Sequence, residues 1–347
     1  MDFSLSQFLI LGIATFALVG GLTPIMRKIA LKVGAVDRPN LARKTQKEPV
    51  PYLGGVAISI GITVASFAAL LYSDFSEETF SRALSVLLPA ILISAMGLYD
   101  DLRGLEPWPR LVAQTIAGTA IAIYLIQNDI LGQAFDNQFL NYAVTIFWIV
   151  GICNSINFFD NHDGGASGTV AVISVFLFAI AFNQGQLLVS ALAVVTAGAT
   201  LGFLIWNKSP AKIYMGDAGA LFLGVIIAVL TIRLKPEVGP QWRSLSIPLL
   251  LMAVPILDTT TVVISRLSRG ISPFTGGRDH LSHRLVRKGL SRRVTAYVLW
   301  GIAAAFGAVA FLACCVTSSL VVPAIYLAGA IWLVLLITFL RIPSTDQ

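Results

Sequence analysis

Long apolar runs separated by short polar breaks recur along almost all of the 347 residues. A helix needs about 20 apolar residues to cross the hydrocarbon core of a bilayer. Eleven stretches come near that length: 4–26, 53–72, 83–99, 109–127, 140–157, 166–183, 187–206, 218–234, 245–265, 294–316 and 320–340. Pro255, inside the ninth, predicts a kink there. The two-residue alternation of a membrane β-barrel is absent. The pattern therefore predicts an all-α fold, a polytopic integral membrane helical bundle of about eleven transmembrane helices. Nothing sets off a separate soluble domain, so residues 1–347 read as one transmembrane domain.

Composition agrees, with 56% hydrophobic and only 12% charged residues. The first apolar stretch has no basic residue before it, and its positive charges follow at Arg27, Lys28 and Lys32. That order predicts a retained helix with its N-terminus outside, not a cleaved signal. The inside loops are then 27–52, 100–108, 158–165, 207–217 and 266–293, and the odd helix count leaves the C-terminus cytoplasmic. Of the 24 Lys and Arg, only Arg82, Arg233, Lys235 and Arg243 fall outside, provided Arg110 is counted with its adjacent loop. Such a bias is what the positive-inside rule demands. It also accounts for the basic net charge, so no nucleic-acid partner is called for. Cys153, Cys314 and Cys315 lie in apolar segments without Cys-x-x-Cys spacing, which argues against a zinc site or a disulfide framework.

The unusual polar residues all fall on the inside. Asp100 and Asp101 end the third span, where the negative end of the helix dipole disfavours acids; a pair there calls for a cation or water. Asn154, Asn157, Asp160 and Asp163 recur every three residues and share a face if the fifth helix continues. That stripe suits a metal, a nucleotide or a sugar, and equally a polar contact between helices. Asp217 precedes the eighth span, as a metal ligand or a helix N-cap. Tyr214, three residues earlier, suits base stacking or an interfacial anchor. Asp258 is embedded in the ninth span, a functional candidate or a structural partner of Arg266. His280 and His283, with Arg278 and Arg284, suit phosphate contacts, whereas a basic surface meeting anionic lipid explains the arginines but not the histidines. Lys44 and Lys47 in the first inside loop either clamp phosphates or only set topology. No Gly-x-x-x-x-Gly-Lys-Ser/Thr, Gly-x-Gly-x-x-Gly or His-Glu-x-x-His motif is present, so ATP-driven transport and zinc proteolysis lose support.

Five ordered segments carry a family resemblance: Pro51-Tyr52-Leu53-Gly54-Gly55, Asp100-Asp101-Leu102-Arg103-Gly104-Leu105, the run from Asn154 to Gly168, Met215-Gly216-Asp217-Ala218-Gly219, and the histidine loop at 272–285. Through them the chain resembles, over almost its full length, the polyprenyl-phosphate N-acetylhexosamine-1-phosphate transferases of glycosyltransferase family 4. Eleven spans resemble the branch that transfers N-acetylglucosamine-1-phosphate to undecaprenyl phosphate. The sister branch, which transfers phospho-N-acetylmuramoyl-pentapeptide, usually has ten spans and three histidines in its final motif. The resemblance implies catalytic roles for Asp100, Asp101, His280 and His283, and a magnesium ligand in Asp217, with manganese as a substitute. It implies that Asp160 and Asp163 line the nucleotide-sugar site and that Tyr214 stacks on uracil. It also implies a homodimer, a place in the inner membrane, and a role in starting cell-envelope polysaccharides such as lipopolysaccharide or teichoic acid. Departures occur at Asn161, where many members have Gly, and at Gly165, where many have Leu. Thr45 replaces a frequent His, and Ser282 replaces the middle His of the final motif.

The expected reaction is attack of a lipid phosphate on the β-phosphorus of a UDP-sugar, with UMP leaving. The two anions need screening, by magnesium and by cationic side chains. The competing class, a secondary transporter of an anionic solute, would place its polar residues near the bilayer midplane and on both sides. Here they crowd one face.

Overall fold

The computed structural model describes residues 4–37, 49–72, 76–128, 130, 135–236, 241–316 and 318–344. Lys44 and Lys47, and Thr45 between them, lie outside the described residues. The helices are α1 (Leu5–Val33), α2 (Gly54–Tyr72), α3 (Glu77–Arg103), α4 (Pro107–Gln127), α5 (Gln138–Phe159), α6 (Gly165–Asn183) and α7 (Leu187–Asn207). They continue with α8 (Gly216–Arg233), α9 (Gln241–Leu251), α10 (Ala253–Leu267), α11 (Leu281–Arg287), α12 (Arg292–Cys315) and α13 (Val321–Arg341). A two-stranded antiparallel ribbon, β1 (Val36–Asp37) with β2 (Val50–Pro51), pairs Val36 with Pro51 and Asp37 with Val50.

The protein is thus an all-α polytopic membrane bundle. Among the described residues, ten helices are long and apolar enough to cross a bilayer, and α9 with α10 forms a broken span bent by 74°. The break falls at Met252, one turn before Pro255. Proline has no N–H to give the carbonyl of Leu251, so the ladder stops where its ring would collide. Backbone bonds resume on both sides, Met252 N to the Pro248 carbonyl at 3.0 Å and Ile256 N to the Met252 carbonyl at 3.0 Å.

Local signals set the helix ends. Ser4 caps α1 in a reciprocal box with Gln7, and Gly34 ends it in the left-handed region at φ 75°. Ser76 caps α3 by accepting from Thr79 N, and Ser291 caps α12 by accepting from Val294 N. Helices apolar on all sides are buried among others or face lipid, and both kinds occur. In α8, fifteen of eighteen residues are buried, and it packs against α2, α3 and α5 as the central post. In α13 only Val321, Ile325, Ala328 and Phe339 are buried, which leaves the rest of its surface to lipid.

Two close approaches fix the start of α8. A Cβ on Gly55 of α2 would lie 2.1 Å from Gly219 N, and one on Gly97 of α3 would lie 2.6 Å from the Asp217 backbone. Only hydrogen fits at either point, so both helices bring their backbones against the first turn of α8.

Candidate active site

The last turn of α3, the end of α5, the first turn of α8 and the segment from α10 to α12 converge on a cleft of about 930 Å³. Acids enter it from the helix ends, as Asp101, Asp160, Asp163 and Asp217, with Asp37 from β1. Cations and imidazoles line it too, as Arg110, Arg266, Arg278, His280, His283, Arg287 and Arg292. Tyr52 and Tyr214 are also in its wall.

The aspartates of the Asp-Asp pair diverge. Asp101 turns into the cleft and accepts Asp217 N at 2.9 Å and Ala218 N at 3.1 Å. It therefore caps α8 from another helix, satisfying orphan N–H groups at the positive end of the dipole. Asp100 is buried and does not line the cleft, holding Leu105 N at 2.5 Å and Arg110 Nη1 at 2.7 Å directly behind Asp217. The catalytic role expected for Asp100 is not supported by that orientation; it closes the α3–α4 turn and holds Arg110.

Asp217 does not cap its own helix. Its Oδ1 accepts Asn157 Nδ2 at 2.8 Å and its Oδ2 accepts Arg110 Nη1 at 2.7 Å. The same Arg110 nitrogen thus bridges Asp100 and Asp217. Arg110 entered the sequence reading only as a topological charge. The signal was its place in the first turn of α4, where a cation opposes the helix dipole and needs acids of its own.

The polar stripe of α5 is broken. The helix stops at Phe159 and Asp160 is its C-cap, so the three-residue spacing does not continue. Asn157, Asp160 and Asp163 still reach the cleft. Asn154 does not: it donates to Gln114 Oε1 at 2.6 Å and the Val150 carbonyl at 2.8 Å, as a contact between α4 and α5. Its expected substrate contact is replaced by a helix–helix contact. Burial pushes the Asp160 carboxyl up to about 7, with Asp217 and Asp163 adding to the effect. Asp163 accepts Ala211 N at 3.2 Å. Burial also raises the Tyr214 hydroxyl, helped by Asp163 and Asp37.

The histidine loop is clamped in three places. Arg266 meets Asp279 in a bidentate pair, 2.8 Å on each arm, and Arg269 adds a bond at 3.0 Å. Asp258 therefore does not pair with Arg266. Its Oδ2 lies 2.7 Å from His280 Nδ1 and its Oδ1 accepts Leu281 N at 2.7 Å. Ser282 Oγ donates to Asn161 Oδ1 at 2.5 Å, so two of the positions that depart from the family pattern hold each other.

His280 and His283 both line the cleft, with ring centroids 5.8 Å apart. Burial, then the nearby His280, His162 and Arg287, pushes the His283 imidazole down to about 3, and its Nδ1 is buried without a hydrogen-bond partner among the described residues. His162, passed over in the sequence, also lines the cleft, and its Nε2 lies 2.8 Å from the Arg292 carbonyl.

Arg278 reaches the cleft, but Arg284 does not. Arg284 is 1% exposed. It donates to the carbonyls of Asp279 at 2.8 Å and Phe339 at 2.7 Å, to that of Ile342, and to Ser265 Oγ at 3.0 Å. Its guanidinium is spent on the protein's own oxygens, so the expected phosphate contact is corrected to a structural tie.

Comparison with known proteins adds a further line. The family model for Glycosyl transferase family 4 matches residues 83–235, which hold the acids of the cleft except Asp37. Over 328 residues the chain is 34% identical to the probable undecaprenyl-phosphate N-acetylglucosaminyl 1-phosphate transferase of Bacillus subtilis (strain 168), covering 92% of this chain and 85% of that protein. It is 30% identical over 336 residues to the decaprenyl-phosphate N-acetylglucosaminephosphotransferase of Mycolicibacterium smegmatis, covering 88% and 82%. It is also 28% identical over 281 residues to the phospho-N-acetylmuramoyl-pentapeptide-transferase of Streptococcus thermophilus (strain CNRZ 1066), covering 75% and 79%.

Proposed function

The chain belongs to glycosyl transferase family 4, and from that footing we propose that it moves N-acetylglucosamine-1-phosphate from its UDP-sugar to undecaprenyl phosphate, releasing UMP. The observation that carries this reading is a single cleft lined both by acids, Asp101, Asp160, Asp163 and Asp217, and by Arg278, His280 and Arg287. A diphosphate shared with a cation fits that pairing. The excess of Lys and Arg on the cleft side supports a cytoplasmic active face in the inner membrane.

The donor set fits magnesium. Carboxylates are hard ligands, and Mg²⁺ takes one or two of them and fills its octahedron with water and substrate phosphate. Asp217, with Asp160 facing the same cleft, meets that need; among the described residues no cluster of three or more His, Cys, Asp or Glu forms a closed cage. Asp160 makes no side-chain hydrogen bond among the described residues, and a bound cation would offset the crowding that raises its pKa. A magnesium ion held there would supply charge neutralisation for the diphosphate and for the leaving phosphate.

The remaining work belongs to the chain's own residues. Asp101, the member of the pair that faces the cleft, takes the proton from the lipid phosphate or orients it. A phosphate that titrates near neutrality asks little of its base. An oxygen of that phosphate forms the new P–O bond at the β-phosphorus as the bond to UMP breaks. His280 and Arg278 take up charge on the transferring group, while Asn157 and Arg110 hold the Asp217 carboxylate in place. Tyr214 offers an aromatic face to the uracil.

Asp101→Asn and Asp217→Asn each lose UMP release from UDP-N-acetylglucosamine, undecaprenyl phosphate and magnesium by at least about a hundredfold, while remaining inserted and folded. Full activity in either variant overturns the assignment. A panel of UDP-sugars in the same assay identifies the donor.

A further inference from the structure

At the end of the bundle opposite the cleft lies a second cavity of about 380 Å³. Its lining is mostly aliphatic, with Leu70 from α2, Ala83 from α3, and Leu188, Leu192 and Val195 from α7. Arg82, near the start of α3, and Asp101, at its end, are nineteen residues apart on one helix, which at 1.5 Å per residue separates the two sites by about 28 Å.

Polar side chains break that apolar lining: Arg82, Arg233 and Lys235, with Ser66, Thr79 and Gln186. Arg233, the last residue of α8, is 6% exposed, and among the described residues its side chain makes one hydrogen bond, Nη1 to the Arg82 carbonyl at 3.2 Å. A guanidinium carries five donors, and burying them without acceptors is costly. Arg82 brings a second guanidinium to the same cavity, and its acid partner, Glu78, has a side chain 69% exposed to the surroundings. Ser66 of α2 is also 6% exposed, and its Oγ has no hydrogen-bond partner. A buried arginine with donors to spare and a second arginine beside it together ask for an anion with several acceptor oxygens. Phosphate answers that geometry, because arginine engages it through paired N–H groups.

The aliphatic lining decides what carries the phosphate. A free anion would leave Leu70, Leu188, Leu192 and Val195 against water, whereas a lipid headgroup brings its own methylenes. The cavity lies where α3 begins and α8 ends, at a bilayer surface, where phospholipid phosphates are the most abundant anions. Its volume suits a headgroup and the first carbons of a chain, not a whole lipid. We propose that this cavity binds the phosphate headgroup of an anionic phospholipid, with Arg233 and Arg82 on the phosphate and the first acyl methylenes along α7, past Ser66. The lipid is then a structural ligand that neutralises Arg233 and seals the bundle at the end remote from catalysis.

The test uses the full chain in phosphatidylcholine nanodiscs, with phosphatidylglycerol added and binding read by native mass spectrometry of the released complex. One phosphatidylglycerol per chain is expected to be retained. Arg82→Gln and Arg233→Gln weaken retention by about tenfold each, the scale of losing a charge-assisted hydrogen bond. Ser66→Leu fills the cavity without touching either arginine and is expected to abolish retention, with transferase turnover unchanged; this variant keeps the test decisive if Arg233→Gln fails to fold. Equal retention of phosphatidylcholine overturns the role of charge. Saturation by glycerol phosphate alone overturns the role of the chain. Displacement of phosphatidylglycerol by an equal amount of undecaprenyl phosphate overturns the phospholipid assignment, and unchanged retention in Ser66→Leu overturns the site itself.

Discussion

Asp258 holds His280 at 2.7 Å through Nδ1, from a position in α10 with no solvent exposure. With Nδ1–H given to the carboxylate, Nε2 is the atom His280 presents to the cleft. A buried acid that fixes a tautomer in this way acts on the reaction through the imidazole. Asp258→Asn offers an amide that can donate to Nδ1 and invert the tautomer. The expected result is a fall in kcat of about a hundredfold or more, with KM for the UDP-sugar little changed. A pH–rate profile of the residual activity that differs in shape from wild type marks a positioning role; a profile of the same shape marks simple loss of folded protein.

Arg110 ties Asp100 to Asp217 through a single nitrogen. Arg110→Gln removes a charge-assisted hydrogen bond worth about 1.5–3 kcal/mol from each acid. UMP release is expected to fall at least about tenfold, and the magnesium concentration needed for half-maximal rate to change with it. If the rate and the magnesium dependence both match wild type, the bridge has no part in holding Asp217.

For Arg284 the expected damage is to stability. Arg284→Met removes the guanidinium donor from the carbonyls of Asp279, Phe339 and Ile342, of which Phe339 keeps only the Ile342 N–H, and should cost about 3–5 kcal/mol, as breaking buried polar networks does. Thermal unfolding in detergent should shift down by several degrees, while the surviving folded fraction keeps a near-normal KM for the UDP-sugar. A raised KM with unchanged melting would restore this arginine to the substrate.

His283 sets a pH dependence of stability. Burial lowers its imidazole from the ordinary value of 6.5 to about 3. Below 6.5 the unfolded chain takes up a proton that the folded chain refuses, so this contribution is full above about 6.5 and is lost as pH falls towards 3. The melting temperature of the wild type should therefore drop between pH 7 and pH 5, and that of His283→Gln should drop less. Parallel curves for the two proteins would show that the imidazole is protonated in the fold.

The bundle was largely legible because a bilayer admits few backbone solutions. The stretches 109–127, 166–183 and 187–206 match α4, α6 and α7 within about two residues at each end. Pro255 announced the broken span. The site was legible by segment and less so by atom. Asp217 read as its own helix cap or as a metal ligand, yet Asp101 does the capping from a helix 116 residues away in sequence, a pairing that no local pattern encodes. Asn154 and Asp160 looked equivalent by spacing until the helix ended between them. Arg278 and Arg284 share a loop and a charge, but one opens onto the cleft and the other is enclosed by carbonyls at the end of α13 and after α10. Spacing gives which residues are near a site; only the closing of the chain decides where each side chain points.

That last arginine also says something about order in time. The carbonyls of Phe339 and Ile342, which hold Arg284 under the histidine loop, are 55 and 58 residues farther along the chain. A membrane protein is synthesised and inserted from its N-terminus, so α1 to α8 can pack while these acceptors do not yet exist. Arg284 must wait for α13 to leave the insertion machinery before its donors are satisfied. The loop carrying His280 and His283 is thus fastened only after α13 has followed it, and a nascent chain still lacking α13 would hold the acids of its cleft in place and the histidine loop unset.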